Sequence, residues 1–206
     1  MQPAHASPDL VAQAKLQPAA IGACYSVVAA DRRAADRVVR ALMEHGSIEA
    51  SARDGTATVR FTLALGAHDR PACVYRTPRL LSDHTLLENW MMCLWGRGDA
   101  PGPAARREIA DAIAFYTGLA DLPPQAYPAA LPELSLVAAQ FVQAHLVRAR
   151  ALVLDAALAG WHPTQRATVA QFIAIYRRRF PFHAIVHVDR DAADPHIFPS
   201  QVLDAI

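Results

Sequence analysis

Lysine is almost missing from this chain. Lys15 is the only one among the 20 Lys and Arg residues, and with so much alanine this has the look of a GC-rich bacterial genome. Charge of one sign is also lacking: 20 cations meet 19 carboxylates for a formal +1. That balance gives no bulk electrostatic drive toward nucleic acid or an acidic membrane. Cys24, Cys73 and Cys93 are odd in number, far apart and without a CxxC pair, which excludes a disulfide framework and a zinc knuckle and points to a reducing cytoplasm. Residues 1–15 hold no basic stretch followed by an apolar core, so no secretory signal is read. Residues 134–159 are the most apolar long segment, yet they carry Gln140, Gln143, His145, Arg148, Arg150 and Asp155, each costly in lipid. Catalytic signatures are missing as well: no G-x-S-x-G, no Gly-rich phosphate loop, no H-E-x-x-H and no deaminase pattern occurs.

What is present is a 206-residue chain with 53% apolar content, enough for one substantial core. Residues 1–18 are polar and proline-punctuated and read as a loosely held arm. Residues 20–30 are an apolar, alanine-rich run that fits either a buried strand, the preferred reading, or the first turns of the helix that follows. Asp31 then caps an amphipathic helix with Ala35, Val38, Val39 and Leu42 on its apolar face, and Gly46 ends it. Alternating residues on either side of Asp54-Gly55 predict a β-hairpin, and residues 72–76 supply a further strand. After Pro78 the pattern turns helical. A nearly all-apolar helix follows Ser82 and Asp83, another follows Pro103, and one long helix is predicted over residues 133–159. His162 and Pro163 open a further helix whose stripe is Val169, Phe172, Ile173, Tyr176 and Phe180; Arg177 to Arg179 complement its negative end and Pro181 stops it. In the strand expected at 182–188, Phe182, Ala184, Val186 and Val188 face a core while His183, Ile185, His187 and Asp189 face away. A short helix is expected at 200–206.

The chemistry-bearing residues cluster late. His183 and His187 lie four apart on a strand, roughly 13 Å at about 3.3 Å per residue, too far to share one ion. His187 and Asp189, at roughly 6.6 Å, can converge on one ion, with His196 returning as a third ligand. This set suits a divalent metal that delivers hydroxide near neutral pH. His183, Arg177 and Trp90 are candidate ligand-binding residues, the arginine as a clamp for a carboxylate or phosphate.

Residues 172–188 (FIAIYRRRFPFHAIVHV) resemble the terminal segment of the OHCU decarboxylases of ureide metabolism, where Tyr-x-x-Arg-Phe precedes Phe-Pro-Phe. That family's His-Pro-Asp/Glu motif has no counterpart, because His162-Pro163 is followed by Thr164. No residue role is carried over.

The resulting expectation is an α+β fold with a small antiparallel sheet, formed by the N-terminal third and a late strand, packed against a helical cluster. Residues 19–206 would form a single domain, β-rich over 19–77 and helical over 78–206, closed by the strand at 182–188. The expected function is a cytoplasmic binding or accessory protein acting through an apolar helical surface or pocket. Its ligand would be small and apolar or anionic, and its partner another protein or a second copy, with neither nucleic acid nor membrane. The alternative is a metal-assisted hydrolase or lyase built on His187, Asp189 and His196.

Overall fold

The computed structural model describes residues 15–20, 22–52, 58–63, 65, 70–191 and 201–205. Eight strands and five helices follow in the order β1 (Lys15–Pro18), β2 (Cys24–Val28), α1 (Arg32–His45), β3 (Ser47–Ala52), β4 (Thr58–Thr62), β5 (Ala72–Tyr75), α2 (Leu86–Gly96), α3 (Pro103–Ala114), α4 (Glu133–Leu146), β6 (Ala151–Asp155), α5 (Pro163–Arg179), β7 (Ala184–Asp189) and β8 (Gln201–Ala205). The strands make one sheet ordered β1-β4-β3-β8-β2-β7-β6-β5. Only β3 runs against the others, pairing antiparallel with β4 and β8; all remaining pairings are parallel.

This overturns the expected small antiparallel sheet. The hairpin exists, with Ile48 opposite Phe61 and Ala50 opposite Val59, although its turn at Asp54-Gly55 lies outside the described residues. It flanks a parallel sheet rather than forming the whole of one. The strand predicted after the hairpin, β5, lies at the opposite edge beside β6. Two helical assignments also change. The helix predicted over 133–159 ends at Leu146, and Arg148 turns the chain with φ of 50° into β6. The short helix expected at the C-terminus is strand β8, inserted between β2 and β3. The late strand β7 is central, between β2 and β6.

Helices cover both faces, which is why the parallel strands are buried all round. On one face α1 packs through Ala35, Val38, Val39 and Leu42 over Tyr25, Val27, Val153, Val186 and Val188. Asp31 caps α1 by accepting from Ala34 N at 2.7 Å, and Gly46 ends it with φ of 65°. On the other face α2 to α5 bury Trp90, Ile109, Phe141, Phe172 and Tyr176 against Val74, Leu152, Leu154 and Ile185. Gly22, at φ of 70°, lets β2 enter beneath the α5–β7 turn: a Cβ there would meet Pro181 O at 2.3 Å. Parallel β2, β5, β6, β7 and β8 therefore present their carboxyl ends along one edge, the place where open α/β sheets bind ligands.

Two tyrosines in the second core differ in one respect. Tyr116 is fully buried between Phe141 and Phe172, and its hydroxyl has no hydrogen-bond partner among the described residues. Tyr176 lies 3.3 Å from Ala149 O, to which it donates, and 3.2 Å from His183 Nδ1. Tyr116→Phe is expected to leave stability unchanged or raise it by up to about 1 kcal/mol, and Tyr176→Phe to cost about 0.5–1.5 kcal/mol. Urea denaturation of both variants checks this; a larger loss for Tyr116→Phe would refute the assignment.

Candidate functional site

The carboxyl edge gathers the residues with the most specific geometry. From Val28 the chain crosses to α1 in three residues, Ala29, Ala30 and Asp31. Ala29 N donates to Asp189 O at 2.8 Å, which holds this connection against the end of β7. A helix N-terminus carries unpaired N–H groups and a partial positive charge. Here the chain's own carboxylate, Asp31, takes that position.

The next residue reaches across β7. Arg32 donates from Nη2 to Asp155 Oδ2 at 2.9 Å and places Nη1 2.8 Å from Asp155 Oδ1 as an ion pair, while Nη2 also lies 3.0 Å from Asp36 Oδ1. Asp155 ends β6 with its side chain only 4% exposed, whereas that of Arg32 is 52% exposed. The hydrogen bond to Asp155 holds the Arg32 guanidinium above its ordinary pKa despite partial burial. Ala156 follows at φ of 49° and donates to Val188 O at 2.8 Å. A non-glycine residue in that region costs of order 1–3 kcal/mol, so the turn that aims Asp155 is imposed by the sheet. Beside the pair lies a cavity of about 300 Å³ lined by Arg40, Met43, Tyr75, Arg79 and Asp155, among others, where Arg79 stacks 4.2 Å over Tyr75.

The residues singled out in the sequence do not come together as one site. His187 is 1% exposed inside the sheet, on the face covered by α4 and α5. Burial drives its pKa down to about 4, partly opposed by Asp189. Asp189 sits at the carboxyl edge, partly exposed, and His196 lies outside the described residues. No group of three or more His, Cys, Asp or Glu suited to a metal occurs among the described residues. Trp90 is fully buried and its indole donates to Ala139 O at 3.1 Å. His183 and the exposed Arg177 do come together, lining a hollow of about 360 Å³ at the opposite, amino edge.

Arg32 and Asp155 were missed. The available signal was the run Ala-Leu-Val-Leu-Asp, whose length and flanks fit a buried strand ending in a carboxylate. Absorbed into a predicted helix, it lost that meaning.

No protein family matches the chain in sequence, and no curated protein does. Solved structures do match in shape. The ATP-binding cassette MJ0796, in a dimeric post-hydrolysis state bound to ADP and Pi, superposes with a TM-score of 0.61 at 12% identity, over 91% of this chain and 82% of its own. CbiO1 from Clostridium perfringens, part of the ABC transporter complex cbiONQ, gives 0.63 at 12% identity over 90% and 76%. A second dimeric structure of MJ0796, a bacterial ABC transporter cassette, gives 0.61 at 13% identity. The chain has the cassette fold.

That fold displaces both functional expectations. The helices assigned to an apolar binding surface form the outer layer of an α/β cassette, packed on its sheet, and the strand assigned to a metal centre is the sheet's interior. It also makes the edge testable for nucleotide. P-loop proteins cradle phosphate with a Gly-rich loop ending in Lys-Ser/Thr between strand and helix, and hold Mg²⁺ with that hydroxyl and a carboxylate from a second strand. In this chain the connection is three residues without glycine, lysine or hydroxyl. A carboxylate fills the helix N-terminus and Arg32 ties up Asp155. These residues do not fit Mg-ATP phosphates.

Two predictions follow from this chemistry. Arg32→Ala strips the pair from nearly buried Asp155 and should cost about 1–3 kcal/mol, less than a fully buried pair because Arg32 is half in water. Asp155→Asn in the same chain should recover part of that, giving a coupling of about 1–2 kcal/mol in a double-mutant cycle; additive effects would refute the pair. Separately, burial, with Arg179 adding, lowers His145 to about 4, as burial lowers His187. Between the ordinary pKa near 6.5 and about 4 the unfolded chain binds more protons, so stability falls as pH drops through that window. The slope is at most about 1.4 kcal/mol per pH unit per histidine. Urea midpoints measured across the window should show it, and His187→Leu should remove about half; a flat profile in the parent chain would contradict it.

Proposed function

We propose that the chain is a non-hydrolysing cassette subunit of an ABC-type transport assembly, pairing with a second copy through its carboxyl edge. The observation that carries this reading is the retention of the cassette fold over nine-tenths of the chain together with an ion pair where phosphate and metal would be held. The Arg32 guanidinium supplies positive charge opposite a strand-end carboxylate, and the Asp31 carboxylate supplies negative charge at a helix N-terminus. Each does internally what Mg²⁺ and a phosphate do at such sites.

A site neutralised from within keeps the edge ordered without ligand. Pairing is supported by the dimeric state in the MJ0796 structures. Among the described residues no helix is long and apolar enough to cross a membrane.

Thermal denaturation with and without millimolar Mg-ATP tests the nucleotide half. No saturable rise in Tm and no hydrolysis above background are expected; a saturable rise would contradict it, because a ligand that binds only the folded state must stabilise it. Native mass spectrometry tests the pairing half, with twice 22.3 kDa expected and a monomer at every concentration contradicting it.

A further inference from the structure

The opposite end of the molecule has the reverse electrostatics. Helices α3, α4 and α5 all finish there, beside the amino ends of β6 and β7. Three hollows of about 770, 360 and 430 Å³ adjoin one another, sharing Phe180, His183 and Arg148 in their walls. At their centre the Phe180 and His183 rings stack at 4.7 Å and 11°. Arg107, Arg148, Arg150, Arg177, Arg178 and Arg179 line these hollows, all exposed, and the only carboxylates lining them among the described residues are Glu108 and Asp111. Glu108 is already shared by Arg97 and Arg148. Six arginines against two carboxylates, in a chain of formal charge +1, make this end a local positive field that the bulk balance conceals.

Large apolar side chains emerge at the same end. Phe182, on the turn into β7, is 76% exposed; Phe115, capping α3, is 41% exposed; Val147, capping α4, is 36% exposed. Cations at helix C-termini complement the dipole and need no ligand to explain them. That account does not cover three protruding apolar groups placed among them.

We propose that this end is a docking surface for an anionic phospholipid membrane. Guanidinium groups bind phosphate in bidentate fashion and are weakly hydrated, so they give up water to lipid headgroups more readily than lysine does. Aromatic and aliphatic tips set among basic residues enter the headgroup and acyl boundary. The tips protrude instead of lying in a groove, so a fluid lipid surface accommodates them without a complementary cavity. The carboxyl edge, at the other end of the strands, stays open, so the surface does not depend on the cassette-subunit reading.

The test is co-sedimentation of the full chain with vesicles of phosphatidylcholine alone and of phosphatidylcholine mixed with phosphatidylglycerol. Binding is expected to the mixed vesicles only and to weaken as salt is raised. Arg177→Glu with Arg178→Glu should lower affinity at least tenfold while lowering Tm by only about a few degrees, since the two arginines also complement the negative end of α5; Phe182→Ser should lower affinity severalfold with unchanged Tm because that residue is exposed. Phe182→Trp should add a fluorescence component that shifts to the blue when the mixed vesicles are added. Absence of binding to the mixed vesicles, binding indifferent to the double charge reversal, or salt-sensitive capture of polyglutamate or RNA in place of the vesicles would overturn the proposal.

Discussion

The ion pair between Arg32 and Asp155 ties the start of α1 to the end of β6 across the central strand β7. Much of the carboxyl edge is arranged around it. The three-residue crossing after β2 is short enough to bring Arg32 over the edge, and Ala29 is held there by Asp189 O. The strained turn at Ala156 carries Asp155 to meet it. Asp31 occupies the helix N-terminus one residue earlier. A carboxylate nine-tenths or more buried needs a permanent partner, and in this chain the partner is covalently part of the protein.

Because the two charges neutralise each other, the edge does not wait for phosphate or metal to become stable. The cassette fold is thus separable from the chemistry of its phosphate-binding turn. A strand, a helix and a carboxylate at the end of a neighbouring strand are present, and the connection between strand and helix is Ala29, Ala30 and Asp31. At the amino edge, by contrast, the arginines around Phe180 and His183 far outnumber their carboxylates. The formal charge of +1 averages over these two unlike ends.

Much of the local structure was legible. Asp31, Gly46, Pro163 and Pro181 punctuate helices by mechanisms that act within one turn, and the apolar stripes of α1 and α5 obey helical spacing. The hairpin strands alternate because one side of each is exposed. Buried parallel strands carry no such signature. Ala-Leu-Val-Leu-Asp in β6 is buried on both faces, so its continuous apolar run looked like more of the preceding helix. In β7 Ala184, Val186 and Val188 do share one buried side, but Phe182, expected beside them, precedes the strand and is 76% exposed, and the other side meets α4 and α5 instead of water. His187 was therefore taken for a surface ligand when it is a sealed neutral imidazole. Once β6 was lost, Asp155 had no place at the end of a strand, and nothing in the spacing of α1 singled out Arg32.

The most direct test of the central claim is a crystal structure of the chain grown with saturating Mg-ATP. The Arg32–Asp155 pair should remain intact, with Asp31 still accepting from Ala34 N and no phosphate at the start of α1. Density for a phosphate between Asp31 and a displaced Arg32, with a metal on Asp155, would show that the pair is a closed gate to a nucleotide site and would contradict the account.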